Sequence, residues 1–299
     1  MPPATDATDG DARILDAGYR RYAGDRGGVA HAVRSVIATT LRRILGLRRP
    51  ARSKILPVMS IVFAYLPATV FVGVVALFNR FGDDADARAL IPEYSDYYGF
   101  IISAIVLFVT FVAPEAVCPD RRSRVLSLYL ASPLTRMTYL LAKAASVAAV
   151  IGLVTLGPPL LLLLGLALQG EGPDGFLGFV TVLLRIFASG SMLALLFTSV
   201  SLGIASLTDR RAIAAAATLL VLVGSHIVAG TLEFGLNAPD ESLLVSLLIA
   251  PFILVSHIYG ETGDFTGLST TATVTAVLGW AALGTGVAVL RYRSLQVTR

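Results

Sequence analysis

Long apolar runs alternate with short polar ones along most of the chain. Six runs approach or exceed about 20 residues, the length a helix needs to cross hydrocarbon roughly 30 Å thick. The pattern predicts membrane spans over 55–78, 97–117, 138–168, 176–207, 212–230 and 271–290. Pro158 and Pro159 fall inside the third and are expected to bend or split it, because proline removes a helical donor and crowds the preceding turn. The fourth is longer than a bilayer requires and should tilt or project. The fold class expected is therefore an all-α polytopic membrane protein.

Two segments depart from that rhythm. Before the first span, Val29, Val33, Val36, Ile37, Thr40, Leu41, Ile44 and Leu45 recur at steps of three and four, with Arg34, Arg42 and Arg43 on the other side. That is a basic amphipathic helix suited to lie in the membrane interface. Between the fifth and sixth spans, "SLLVSLLIAPFILVSHIYG" (242–260) is apolar but broken by Pro251. A full span there would place the tail "RYRSLQVTR" on the side opposite to that expected from its arginines. A re-entrant or external helical hairpin fits better, buried so that its interrupted backbone is satisfied. The expected organisation is an N-terminal arm (1–27), an interfacial helix (28–54), a six-span domain (55–290) and a short tail (291–299).

Charge orients these elements. One side receives the arm from Arg13 to Lys54, the loop with Arg121, Arg122, Arg124 and Arg136, the turn with Arg210 and Arg211, and the tail with Arg291, Arg293 and Arg299. The other receives only Arg80 and Arg88 among mainly acidic loops. The positive-inside rule then puts both termini in the cytoplasm, and a plasma-membrane, multi-pass location is expected. Composition agrees: 55% of residues are hydrophobic and 15% charged, against about a quarter charged in soluble domains. The net charge of +4 is no nucleic-acid signature, since the basic residues flank apolar runs. Cys118 is the single cysteine, which excludes a disulfide framework within one chain. The polar, Arg-rich start has no apolar core, so no secretory signal is expected.

The candidate chemistry concentrates in "DRRSRVLSLYLASPLTRMTYLLAK" (120–143). Asp120 is placed to cap a short helix over 120–131, Val125, Leu128 and Tyr129 share a face, and Ser132-Pro133 ends it. Apolar knobs with arginines at one end suit insertion into a groove on a soluble partner. A loop that is basic merely to set topology is the plainer reading of the same residues.

The longer run "PEAVCPDRRSRVLSLYLASPLTRMTYLLAK" resembles the segment between the second and third spans of ABC-2-type transporter permeases. The matching positions are Glu115, Asp120, Arg121, Arg122, Leu126, Leu128, Tyr129, Ser132, Pro133, Leu134, Thr135, Arg136 and Lys143. The Gly-Thr pair frequent after that family's acidic residue is replaced here by "VCPDRR". The resemblance implies a coupling helix that docks on an ATP-binding cassette ATPase, a second permease copy or paralogue, and ATP and Mg in the partner chain. No G-x-x-x-x-G-K-[ST] loop occurs in this chain to cradle phosphates itself, and no cofactor is expected in it.

Other ionisable groups in apolar surroundings are candidates for function. Lys143 can snorkel or pair with Glu115, and the pairing is the narrow preference. Arg185 lies within the fourth span, either lining a cavity or snorkelling outward, and Glu233 follows the fifth; both are possible pathway residues. His31, His226 and His257 have no metal-ligand spacing. "ASGSM" (188–192) does not complete a Gly-x-Ser-Gly nucleophile motif. Gly190, Gly203, Gly224, Gly284 and Gly286 are expected to let helices pack closely. The function expected is a permease subunit exporting a hydrophobic or amphiphilic substrate, with ATP hydrolysis in a separate subunit. A non-transport membrane anchor that recruits a soluble partner is the alternative.

Overall fold

A computed structural model describes residues 27–47, 54–81, 92–125, 128–129, 131–260 and 267–294. The N-terminal arm to Arg26, Leu126 and the last five residues of the tail lie outside the described residues, as does Arg88. The described residues are mostly helical, joined by short turns, with no strand among them.

Among the described residues, nine α-helices follow in order: α1 (Val29–Ile44), α2 (Ile55–Phe81), α3 (Tyr97–Arg122), α4 (Arg136–Thr155), α5 (Gly157–Ala167), α6 (Gly175–Ala205), α7 (Arg211–Gly230), α8 (Ile249–Tyr259) and α9 (Thr270–Ser294). Six spans result, with α4 and α5 together forming the third. Its break falls at Leu156, ahead of Pro158 and Pro159, as the sequence predicts. One hydroxyl satisfies the backbone at the break, Tyr65 donating to the carbonyl of Leu153 (3.0 Å), and Thr155 ties the same region to α6 by donating to the carbonyl of Gly190 (2.9 Å).

The spans differ in how much of themselves they cover. In α3, 61% of the most apolar 18-residue window is buried within the chain; in α2 the share is 17% and in α7 22%. Both α2 and α7 pack against α3, which runs through the middle of the molecule. α1 lies across α3 and α4 and buries Val36, Thr40 and Ile44.

The closest helix contact is between α6 and α9. A Cβ on Gly203 would stand 2.6 Å from the carbonyl oxygen of Gly284, and one on Gly284 would stand 2.5 Å from that of Ser199. Only glycine permits this approach. Gly190 likewise abuts Leu156 and Thr155, whereas a Cβ on Gly224 or Gly286 would meet nothing within 4 Å. The expectation of close packing thus applies to three of the five glycines.

Between α7 and α9 come a π-helical turn (Thr231–Gly235), a 3-10 turn (Asp240–Val245) and α8. At 1.5 Å per residue, the 11 residues of α8 extend about 16 Å, too short to cross a bilayer. It packs on α6 and α9 and ends at Gly260, whose positive φ of 77° closes the helix.

Candidate functional site

α3 carries the apolar run of the second span past Pro119 to Arg122. That extension corrects the sequence reading, which ended the span at Val117 and started a separate helix at Asp120. Asp120 is not a cap: it lies in the last turns of α3 and is 1% exposed. After Arg122 the chain turns, with Arg124 at a positive φ of 53°. Amide hydrogens of Leu128 and Tyr129 then bond the carbonyl of Val125 (3.1 and 3.2 Å), forming one helical turn. The described part of 120–131 is thus the end of a span plus a tight exposed turn, not three turns of independent helix. Leu128 is 74% exposed. Tyr129 turns inward, its ring 5.3 Å from that of Tyr139, so the expected shared face divides.

The second half of the element returns the chain into the membrane. The hydroxyl and amide of Ser132 both donate to the carbonyl of Tyr129, Pro133 is exposed and Leu134 is buried. Thr135 then caps α4 reciprocally: its hydroxyl accepts from the amide of Thr138 (3.1 Å), and the Thr138 hydroxyl accepts from the amide of Thr135 (2.8 Å). The cap fixes where α4 begins, and so where Tyr139 and Lys143, four residues apart on one face, point.

They point at Asp120. Lys143 Nζ is 2.7 Å from one carboxylate oxygen, and the Tyr139 hydroxyl donates to the same oxygen at 2.7 Å. Arg43 of α1 pairs with the other. Lys143, 1% exposed, also donates to the hydroxyl of Thr40 (3.0 Å) and the carbonyl of Ala116 (2.9 Å). A carboxylate with three charged or hydroxyl donors has its buried charge fully answered. Burial works against the charge of Arg43, yet its hydrogen bond to Asp120 and the field of that carboxylate hold its pKa above the ordinary value. Burial pushes the phenol of Tyr129 up, with the Asp120 charge adding to it.

Neighbouring residues of α3 reach the remaining helices. Glu115 pairs with Arg211 at the start of α7. The expected link between Glu115 and Lys143 is therefore replaced by two pairs, Glu115 with Arg211 and Lys143 with Asp120. Arg121 donates to the carbonyls of Ser206 and Thr208 (3.1 Å to the latter), satisfying acceptors left over where α6 ends. Arg136 donates to the carbonyl of Arg293 in α9 (2.9 Å), and the Tyr292 ring is 6.1 Å from that of Tyr139. The connection from α3 to α4 is thereby tied to α1, α6, α7 and α9. Thr40, Arg43, Tyr139, Arg211 and Tyr292 were absent from the sequence-derived site. A signal existed for one of them: Tyr139 sits four residues before Lys143 on the buried face of the same span.

Arg185 and Glu233 lie elsewhere. Arg185 is 20 residues before Ala205 on α6, about 30 Å from the Asp120 cluster along the helix. Its guanidinium lies over the Tyr259 ring at 5.9 Å, and Tyr259 stacks on Tyr94 at 6.4 Å. Burial pushes the Tyr94 phenol up to about 12. Glu233 is half-buried in the π-helical turn after α7.

Five of the six spans, together with α1, are tied around the end of α3, from which an exposed turn hangs, in a polytopic helical membrane protein. The chain belongs to the ABC-2 family transporter proteins, whose family model matches residues 85–291, more than two thirds of its length. It is a multi-pass permease subunit of an ABC transporter. No curated protein matches it.

Proposed function

We propose that this permease subunit exports a hydrophobic or amphiphilic substrate and is driven from the exposed turn that follows Arg122. Two ATP-binding cassette ATPase subunits, which bind ATP and Mg, sit against that turn in two permease subunits, either copies or paralogues. Both termini and the turn face the cytoplasm of a plasma membrane, a topology supported by the distribution of arginines. Few intramembrane charges favour an amphiphile over an inorganic ion as cargo.

One observation carries the reading: exposed Arg122 and Leu128 flank a turn whose root, Asp120, is locked to α1 and α4. A soluble partner that grips the turn moves the ends of α3 and α4 together, because the buried carboxylate cannot leave its cations without a large penalty. Closing of the ATPase pair thus biases a two-state arrangement of the spans. Exposed Leu128 supplies the apolar anchor and Arg122 the charged register. An ATP-binding cassette ATPase is expected to be encoded beside this chain and to co-purify with it. Arg122→Glu combined with Leu128→Asp should abolish co-purification while leaving the thermal unfolding of the permease unchanged. Retained assembly and transport in that variant would overturn the proposal.

A further inference from the structure

The two halves of the third span belong to different neighbours. α4 packs on α1, α3 and α6, and its Tyr139 and Lys143 are bound to Asp120. α5 packs mainly on α2. Gln169, just past the end of α5, donates to the carbonyl of Val72 on α2 (3.0 Å). Gly165 lies so close to α2 that a Cβ there would stand 2.5 Å from the Val72 side chain. A Cβ on Gly157 would collide with the hydroxyl of Tyr65, which reaches past it to the carbonyl of Leu153 (3.0 Å). α2 is thus fitted to α5 and meets α4 only slightly.

Between the halves the helical ladder is interrupted. Pro158 and Pro159 have no amide hydrogen for the carbonyls of Val154 and Thr155. The ladder resumes where Leu160 donates to the carbonyl of Leu156 (3.1 Å). α6 meets the break at Gly190, whose carbonyl accepts from Thr155 and whose missing side chain makes room for Leu156. Next to that contact a groove of about 580 Å³ opens between the span and α6. Gly152, Leu156, Gly157 and Leu160 line one wall, and Ser191 and Ala194 the other. The break therefore has a point of support and open space beside it.

We infer that the break at Leu156 is a hinge: α4 is carried by the Asp120 cluster, α5 is carried by α2, and the angle between them changes. Gly190 is the pivot, and the groove receives Leu156 and Leu160 as the angle changes. The Tyr65 hydroxyl, held by α2 and bonded to the last turn of α4, limits the swing. Leu164 is eight residues beyond Leu156, about 12 Å along α5, so a change of about 20° in the kink moves it by about 4 Å relative to α6. One consequence rests on the proposed function: an ATPase that displaces α4 through the cluster does so without tearing α5 from α2.

Double electron–electron resonance on the full-length permease in lipid nanodiscs, diluted with unlabelled protein, reads that displacement. Cys118 is buried, so spin labels go to cysteines introduced at exposed leucines. Leu164→Cys with Leu184→Cys, from α5 to α6, should give a distance distribution about 4 Å wider than either of two controls. The controls are Leu77→Cys with Leu164→Cys, from α2 to α5, and Leu141→Cys with Leu195→Cys, from α4 to α6. Replacing both prolines (Pro158→Ala with Pro159→Ala) restores two donors and should narrow the α5–α6 distribution to the width of the controls. Tyr65→Phe removes the restraint and should widen it. An α5–α6 distribution as narrow as the controls would overturn the inference, as would one that keeps its width without the prolines. A broad α2–α5 or α4–α6 control would overturn it too, because the halves would not then be rigid with their neighbours, and so would a Tyr65→Phe distribution no wider than that of the wild type. No ATPase is present in the measurement, so failure of the hinge and failure of the proposed docking are separate results.

Discussion

Two regions of α6, its C-terminal end and the turn around Arg185, hold arginine in opposite ways. Where the helix stops at Ala205, Arg121 arrives from α3 and donates to the carbonyls that follow, inside a cluster where Asp120 and Glu115 answer three further cations. About 30 Å away along the same helix, Arg185 lies over an aromatic ring contributed by α8. At the first end each charge belongs to one helix and its partner to another, so the helices cannot shift independently without separating ions in a water-poor setting. At the second, the contact is a ring face that tolerates sliding and costs little to remake. The difference teaches where rigidity has been placed: at the root of the exposed turn, not around Arg185.

Substitutions that break the comparison should rank accordingly. Asp120→Asn keeps the shape of the carboxylate but leaves Arg43 and Lys143 without their counter-charge, and should destabilise the protein by about 3–5 kcal/mol. A large drop in the thermal unfolding midpoint in detergent would register it. Tyr139→Phe deletes one hydrogen bond to that charge and leaves the ion pairs, so a loss of about 1.5–3 kcal/mol is expected by the same measurement. Arg185→Ala, in the relaxed region, should cost about 0.5–1 kcal/mol. Reversal of this order would remove the asymmetry between the two regions.

The six spans and the split at Pro158 and Pro159 were legible because both follow from hydropathy and from proline's missing donor, which are properties of local sequence. The pairing of Lys143 was not. Glu115 and Asp120 are five residues apart, which on a helix separates them by about 140° around the axis. Only one can face α4 while the other faces α7. Choosing between them requires knowing that α3 continues through Pro119. The sequence reading stopped the helix before that proline and so placed Asp120 outside it. On either side of Pro119 the helix is held by tertiary contacts that local sequence does not reveal: Cys118 lies against the carbonyls of Ala205 and Thr208, and Arg121 donates to the turn after α6. Arg43 was assigned to the polar side of α1 for a related reason. Periodicity separates apolar from charged faces, but it cannot reveal that a carboxylate waits beside the charged one.

Site-specific photocrosslinking compares the two faces directly. A photoreactive side chain at Leu128, 74% exposed on the turn, and another at Leu168, 88% exposed beyond α5 on the opposite side, would be activated in cells that also express the proposed ATP-binding cassette ATPase. The account predicts a covalent adduct with the ATPase from position 128 and none from position 168. An adduct from 168, or the absence of one from 128 in a complex that still transports, would contradict it.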